Sequence, residues 1–299
     1  MTERFRCAIT SAQRGDDLAG TASTVRAFLL VECIGSWGSD ALRDSRLPED
    51  AKRVLRSARR LGVRANLIRR HRVTSRKDGV RVFAAYADPV RPWMESTVLG
   101  SPAEVADLDL TAFGAGRSPG LTPVAEPVFG VCTHGRHDAC CAELGRPVAT
   151  ALSEAQPDAT WEISHIGGDR FAGNLLVLPH GLYYGRVDAP TAVALAAGHR
   201  AGELDLDHLR GRSAYPMPVQ AAEIALRRQL GETRLDTVRL VDRSREEDRW
   251  TAVFVVGADR WEVVLRTERD DADRYRLTCL AAQPDAIPQH RLVGIRRLD

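Results

Sequence analysis

The sequence predicts an α/β fold with two α/β halves followed by a small antiparallel β extension. Three observations support this prediction. Short apolar runs that suit buried strands alternate with helix-like stretches from about residue 27 to residue 230. A segment rich in glycine and proline, GAGRSPGLTPVAEP at residues 114–127, separates two series of such elements. From residue 236 onward the apolar runs are joined by charged turns, with no helical pattern between them.

The first half is predicted to contain a strand, a helix and two further strands. These elements are expected at residues 27–32, 48–61, 64–70 and 80–88. The first is the short apolar run AFLLVE. In the helix, Leu55, Ala58 and Leu61 fall on one face. Gly62 provides the stop. The turn-forming residues 76–79 (RKDG) separate the two later strands.

The second half repeats the alternation of strands and helices. Predicted strands lie at residues 128–131, 160–164, 175–178 and 182–187, and predicted helices at 142–154, 190–201 and 218–230. Pro147 indicates an irregular start for the first of these helices, whereas Pro190 suits the first turn of the second. Four further strands, at residues 238–241, 250–256, 261–266 and 275–280, are expected to form the C-terminal antiparallel sheet.

The chain of 299 residues is long enough for two modest domains and an appendage. We expect an N-terminal α/β domain at residues 1–120, a second α/β domain at residues 121–231 and a β extension at residues 232–299. Strands that alternate with helices predict a sheet with helices packed on it in each α/β domain.

Composition and charge exclude several classes of protein. Hydrophobic residues make up 44% of the chain and charged residues 27%, as in soluble globular proteins. No apolar run approaches the roughly 18 residues of a membrane span, and the N-terminus is charged where a signal peptide is apolar. We therefore expect a cytoplasmic protein with reduced cysteines. The 42 basic residues are interspersed with 40 acidic ones, which argues against nucleic acid as a partner.

Two short motifs hold the residues with the most distinctive chemistry. The first, VCTHGRHDACC, contains Cys132, Cys140 and Cys141, and the second, SHIGGDRFAGN, contains His165 and Asp169. Thiolate sulfur suits iron–sulfur clusters, zinc or copper(I), and imidazole and carboxylate can complete such a site. Amides at a helix start would stabilise a thiolate, and the two glycines allow amides to approach an anion closely. The motifs therefore predict a metal or cluster site.

The motifs resemble those of a known family. The patterns C-T-H-G-x-x-D-x-C-C, H-x-G-G-x-x-F-A-x-N and L-P-x-G-x-x-Y-G-R occur in this order, preceded by GTASTVRAFLLVECIGSWG. Over roughly residues 20–190 the chain resembles the sucrase/ferredoxin-like family of thioredoxin-like ferredoxins. The resemblance implies two thioredoxin-like halves, with a [2Fe-2S] cluster held in the second by two cysteines and two residues of an H-x-x-x-H loop.

Carried over by position, the resemblance assigns the four ligands to Cys132, Cys141, His165 and Asp169. Asp169 stands where the family has a second histidine. A carboxylate is harder and more negative than imidazole, so it should favour the oxidised cluster and make it more labile. Alternatively, another side chain is the fourth ligand, or this branch has lost the cluster. The candidate replacements are Cys140, His134 and His137.

Residues around these ligands have simpler expected roles. His134 and His137 are expected to orient the cysteine loop, and Cys140 to pack in the interior. Cys7, Cys33 and Cys279 are isolated among apolar neighbours and are predicted to be core residues. Three arginines beside the proposed ligands are expected either to offset the charge of a cluster or to bind an acidic redox partner: Arg136, Arg146 and Arg170.

The favoured function is that of a non-enzymatic, one-electron carrier with an unidentified redox partner protein. The first half is then structural or binds the partner. One alternative is a thiol-based redox protein, although the chain lacks the C-x-x-C motif of thioredoxins at this site. Another is a binding module with structural zinc, since two cysteines, a histidine and an aspartate suit a tetrahedral zinc ion. A cluster-free protein is the third. No carboxylate pair indicates a glycosidase.

Overall fold

A sheet of ten strands runs through both halves of the chain in the computed structural model, which describes residues 4–75 and 79–299. The strands are β1 Ala27–Glu32, β2 Val63–Arg69, β3 Val80–Tyr86, β4 Trp93–Leu99, β5 Thr122–Pro123, β6 Val128–Cys132, β7 Thr160–Ile163, β8 Leu175–Leu178, β9 Leu182–Tyr184 and β10 Leu209–Arg212. Their order across the sheet is β10-β9-β8-β6-β7-β2-β1-β3-β4-β5. Residues 76–78 of the predicted RKDG turn lie outside the described residues.

The two halves have the same strand arrangement. In the first, β1 is parallel to β2 and antiparallel to β3, which pairs with β4. In the second, β6 is parallel to β7 and antiparallel to β8, which pairs with β9. The halves meet where β2 pairs antiparallel with β7, through Ile68 opposite Ile163 and Arg69 opposite Glu162. The predicted α/β fold of two similar halves is confirmed, while the domain boundaries stay a prediction.

Helices cover the sheet. They are α1 Cys7–Arg14, α2 Ala41–Asp44, α3 Glu49–Ala58, α4 Leu110–Gly114, α5 Ala139–Ala155, α6 Ala189–Arg200 and α7 Met217–Leu230. Apolar side chains of α3 pack on β1, β2 and β3, and those of α5 and α6 pack on β6, β8 and β9. A third cluster, on the opposite face, combines residues of both halves. Within the described part of the chain, no helix has the length and apolar character needed to cross a membrane.

Two helix predictions need correction. The helix α5 begins at Ala139, before the predicted residue 142, because Asp138 caps it, and Pro147 lies inside it. Burial of one side of α5 outweighs the roughly 3 kcal/mol that an interior proline costs. In the first half, α3 ends before a turn that stops at Gly62, which has φ +76°. Leu61 lies in that turn and is 40% exposed, so it does not share the buried face of Leu55 and Ala58.

The C-terminal extension is an antiparallel sheet, as predicted, but one strand differs. Four strands form it, in the order β11 Val238–Glu246, β12 Arg249–Val256, β13 Asp259–Glu268 and β16 Gln289–Leu298. The strand predicted at residues 275–280 is wrong: only β14 Arg274–Tyr275 forms there, paired with β15 Asp285–Ala286. The strand β16 pairs with β13 along nearly its whole length and so forms the fourth strand of the sheet. Similarly, β9 ends at Tyr184, before the predicted residue 187.

Candidate metal centre

Cys132 and Cys141 meet at the buried end of the second half. Cys132 is the last residue of β6, and Cys141 lies in the first turn of α5. Asp138 caps this helix by accepting a hydrogen bond from the Cys140 amide at 2.9 Å. Both thiols are 1% exposed and belong to the apolar cluster shared by the two halves. The loop and its cap therefore bring two thiols together on the interior side of the sheet.

His165 and Asp169 approach these thiols from a second loop, which follows β7. Gly167 and Gly168 have φ values of +97° and +80°, which favour glycine and allow the chain to turn sharply. The Sγ of Cys141 lies 3.3 Å from Oδ1 of Asp169. The Nδ1 of His165 lies 2.9 Å from the same oxygen, but out of line with its ring N–H, so this buried nitrogen has no aligned hydrogen bond. The carboxylate thus stands between a thiol and an imidazole.

The charges of these groups are coupled. A hydrogen bond from the Cys141 thiol lowers the pKa of Cys132, and the same contact together with burial raises the pKa of Cys141. Burial opposes ionisation of Asp169, but the contact with His165 outweighs it and lowers the pKa of the carboxyl. Burial also opposes the charged form of His165, and Asp169 outweighs it, so the pKa of His165 is raised. Cys132 therefore loses its proton more readily than Cys141, and Asp169 ionises more readily than an ordinary carboxyl group.

The two other histidines of the first motif lie in different positions. His134 accepts a hydrogen bond from the His165 amide at Nδ1, 3.2 Å away, and its Nε2 lies 2.9 Å from the Gly38 carbonyl. Because Nδ1 accepts, Nε2 carries the proton, and both nitrogens are used by the backbone. His137 is nearer to the site: its Nε2 is 3.7 Å from Oδ2 of Asp169 and its ring centroid 3.8 Å from that of His165. His137 therefore contacts the Asp169 side of the site, whereas His134 holds the backbone of His165.

Cys140 faces away from this site. Its Sγ lies 3.4 Å from Sγ of Cys279, and both sulfurs lie close to Cys7 and Asp138. The sequence predicts isolated core positions for Cys7 and Cys279. In the fold their sulfur atoms lie 3.6 Å apart, and Cys279 is only partly buried. Cys33 is buried in the apolar cluster of the first half.

The predicted arginines differ in their contacts and exposure. Arg170 directs its Nε toward Asp16, 3.5 Å away, and its guanidinium lies over the Phe171 ring. Arg136 and Arg146 are exposed and, with Arg69, line a surface groove that His134 also borders. Positive charge therefore lies on the surface next to the histidines.

A further arginine, Arg210, supports the second loop from inside and was missed by sequence reasoning. This residue of β10 is 1% exposed. Its guanidinium donates hydrogen bonds to the carbonyls of Gly167 and Thr21, at 2.9 and 2.6 Å, and to Oδ1 of Asn174 at 2.8 Å. Burial lowers the pKa of Arg210 to about 10, against the opposing effect of nearby Asp169 and Cys132. The strand sequence LRGR carries the only sequence signal, two arginines where the neighbouring strands are apolar.

The donor set can hold a metal. Two buried sulfurs, one buried imidazole nitrogen without an aligned hydrogen bond and one carboxylate converge from two loops. His137, His165 and Asp169 alone place one ligand atom each within 4.8 Å of one another. Soft sulfur with borderline nitrogen suits an iron–sulfur cluster or zinc better than a hard cation. By donor chemistry the set suits either group, although among the described residues Cys132 and Cys141 are not part of the group whose ligand atoms lie within 4.8 Å of one another.

Comparison with known proteins agrees with this arrangement. The family description sucrase/ferredoxin-like matches residues 18–211, which include both halves of the large sheet and the two motifs. No curated protein matches the chain, and no solved structure does. Since the match covers well over half of the 299 residues, the chain belongs to the sucrase/ferredoxin-like family.

Proposed function

We propose that this protein is a one-electron carrier that binds a [2Fe-2S] cluster through Cys132, Cys141, His165 and Asp169. The observation that carries the proposal is the convergence of two buried sulfurs with the buried Nδ1 of His165, which lacks an aligned hydrogen bond. Family membership supports it. When bound, the cluster would supply reversible one-electron transfer at neutral pH.

The protein surrounds the two sides of this site differently. The cysteine side is 1% exposed, whereas the side chains of His165 and His137 are 30% and 36% exposed. The histidine side is therefore the place where an electron would enter and leave. Histidine ligation generally raises the potential of such a cluster, and Asp169 would partly reverse that effect because it adds negative charge. The buried guanidinium of Arg210 adds positive charge beneath the loop.

The surface beside the histidines favours an acidic redox partner. Arg69, Arg136 and Arg146 line the groove that His134 borders. Complementary charges would steer a partner with an acidic patch to this groove, and this steering would weaken with salt. The partner is expected to be another redox protein, because a one-electron carrier exchanges its electron with a second redox centre.

Ligand protonation would make cluster binding depend on pH. Cys141 must lose its proton to bind iron, and contact with Cys132 together with burial raises its pKa. His165 must also be neutral, and its pKa is raised. Protons therefore compete with the metal, and binding should weaken as the pH falls.

A redox-active pair of thiols is the second candidate. The contact between Cys132 and Cys141 favours it, because it lowers the pKa of Cys132. Thiol exchange requires access to a sulfur atom, however, and both sulfurs belong to side chains that are 1% exposed. The electron-carrier function is therefore preferred.

The test is to purify the protein without oxygen and to record visible spectra before and after reduction with dithionite. Iron, acid-labile sulfide and zinc are measured in the same sample. We expect bands that bleach on reduction, iron and sulfide in equal amounts, and loss of both in Cys132→Ser. Cys33→Ser is the matched control, since Cys33 is buried in the first half, away from the site. If the wild type is colourless and contains zinc that Cys132→Ser lacks, the site binds structural zinc and the cluster proposal is wrong.

A further inference from the structure

Three cysteines and an aspartate from distant parts of the chain meet next to the proposed cluster site. Cys7 opens α1, Asp138 and Cys140 belong to the start of α5, and Cys279 lies in the C-terminal extension. One ligand atom of each lies within 4.8 Å of the others. Cys7 and Cys140 are 1% exposed, and Asp138 is also 1% exposed.

The distances within this group resemble those of a tetrahedral thiolate site. The Sγ of Cys279 lies 3.4 Å from that of Cys140 and 3.6 Å from that of Cys7. The Sγ of Cys7 lies 3.5 Å from Oδ2 of Asp138. In a tetrahedral zinc site with zinc–sulfur bonds of about 2.3 Å, neighbouring ligand atoms are roughly 3.5–3.8 Å apart. The three measured separations are therefore close to those of a tetrahedral site, and the remaining ligand atoms lie within 4.8 Å of one another.

We propose that Cys7, Asp138, Cys140 and Cys279 form a second metal centre that binds structural zinc. Three thiolates and one carboxylate are a soft, negatively charged donor set, which suits zinc better than magnesium or calcium. Zinc binding would release the thiol protons to solvent.

The surroundings orient the donors of this second centre and add positive charge. Asp138 accepts hydrogen bonds from the amides of Cys140 and Cys279, at 2.9 and 2.6 Å, which fix the carboxylate while leaving lone pairs for an ion. Arg276 donates a hydrogen bond to the Cys279 carbonyl at 3.0 Å. Arg6 precedes Cys7 and pairs with Glu143 at 2.6 Å. Of these two arginines, Arg276 would offset part of the net negative charge of a three-thiolate site, whereas the charge of Arg6 is balanced by Glu143.

The second centre would act as a cross-link between α1, the C-terminal extension and the second half of the large sheet. The family match covers residues 18–211 and includes neither Cys7 nor Cys279, so this centre is separate from the family motif. Zinc bound here would tie α1 and the C-terminal extension to the first turn of α5. That turn also carries Cys141, so the second centre would hold a ligand of the first in place.

The test is zinc content after purification under reducing conditions, in wild type and in four variants. We expect about one zinc per chain in wild type, and its loss in Cys7→Ser and Cys279→Ser. Removal of a thiolate should lower zinc affinity by more than the roughly 10–100-fold that loss of a supporting side chain costs. Cys132→Ser and Cys33→Ser should keep the zinc. Cys132→Ser should lose iron and sulfide although it keeps zinc, so the metal content distinguishes the two sites.

Cobalt provides a measurement that does not depend on the folding of the Cys7→Ser and Cys279→Ser variants. The Cys132→Ser protein is stripped of metal and titrated with Co²⁺, and we expect strong sulfur-to-cobalt charge-transfer absorption and the visible bands of a tetrahedral ion. Absence of both zinc and this absorption would overturn the proposal. Zinc that is lost in Cys132→Ser but kept in Cys279→Ser would also overturn it. A disulfide between Cys140 and Cys279 would overturn it too, if mass spectrometry of the intact protein and its peptides finds this bond after purification under reducing conditions.

Discussion

Gly168→Ala should destabilise the protein much more than alanine at another glycine with a similar backbone conformation. Gly168 has φ +80°, and a Cβ at this position would collide with the guanidinium of Arg210. Arg210 cannot easily move aside, because it is buried and donates to the carbonyls of Gly167 and Thr21 and to the side chain of Asn174. The added methyl group must therefore displace either the loop or the arginine.

The expected cost has two parts. A left-handed backbone costs alanine about 1–2 kcal/mol. Displacement of Arg210 breaks at least one charged hydrogen bond in the interior, which costs about 1.5–3 kcal/mol. Gly168→Ala should therefore lower the free energy of unfolding by about 2.5–5 kcal/mol. Gly231 is the matched control: it has φ +64° with open space around its Cβ position, so Gly231→Ala should cost only the backbone strain.

Urea unfolding of both variants and wild type, followed by circular dichroism in metal-free protein, measures the difference. Metal-free conditions ensure that ligand binding does not contribute to the free energy of unfolding. Equal losses in the two variants would refute the reasoning, since they would mean that Arg210 yields at no cost and does not support the loop.

Three further predictions concern individual charges. Asp169→Ala should lower the pKa of His165, because it removes the carboxylate that raises it; titration of the imidazole by NMR in metal-free protein checks this, and an unchanged pKa would contradict the ion pair. Burial lowers the pKa of His199 to about 4, so below its ordinary value of about 6.5 only the unfolded chain takes up the proton. Between about pH 7 and about pH 5 the titration of His199 should therefore lower stability by about 2 kcal/mol, so the fall in the free energy of unfolding over this range should be about 2 kcal/mol smaller in His199→Phe than in wild type, as measured by urea unfolding. Glu223→Gln should cost about 3–5 kcal/mol because two buried arginines lose their counter-charge. Glu262→Gln, whose partner is 70% exposed, should stay within about 1 kcal/mol in the same assay, and similar losses for the two would be evidence against this reasoning.

The large sheet was predictable wherever a strand is apolar on both faces. All six residues of β1 are buried, and β6 and β8 are also buried throughout, so their short apolar runs identify them without tertiary information. The helix α6 was equally clear, because Asp188 caps it and a proline occupies its first turn. Strands and helices of this kind can be predicted from the local sequence alone.

Among the strands that escaped prediction, β4 and β10 contain polar residues that are satisfied only by tertiary contacts. In β4, Glu95 is buried but accepts hydrogen bonds from Ser118 and the Leu121 amide. In β10, the sequence LRGR looks exposed, yet Arg210 and Arg212 are both buried. A pattern of polar residues cannot reveal partners that lie far away along the chain.

The candidate site shows the same limit. The motifs bring Cys132, Cys141, His165 and Asp169 together on two neighbouring loops, and spacing alone made that plausible. Spacing could not show which way Cys140 points, since adjacent residues of a helix start face different directions. Nor could it show that Cys7 and Cys279, separated by most of the chain, lie against Cys140.

The contacts of Gly38 and Ser39 mean that the site cannot be separated from the first half. Their carbonyls lie 2.9 Å from the ring of His134 and 3.3 Å from the ring of His137. A fragment consisting of residues 121–231 would retain every proposed ligand of the cluster but would lack these anchors. The imidazoles of His134 and His137 would lose these contacts, and the proposed cluster would be held less firmly. The two halves would in this way form a single working unit, in which the second provides the proposed ligands and the first holds the histidines beside them.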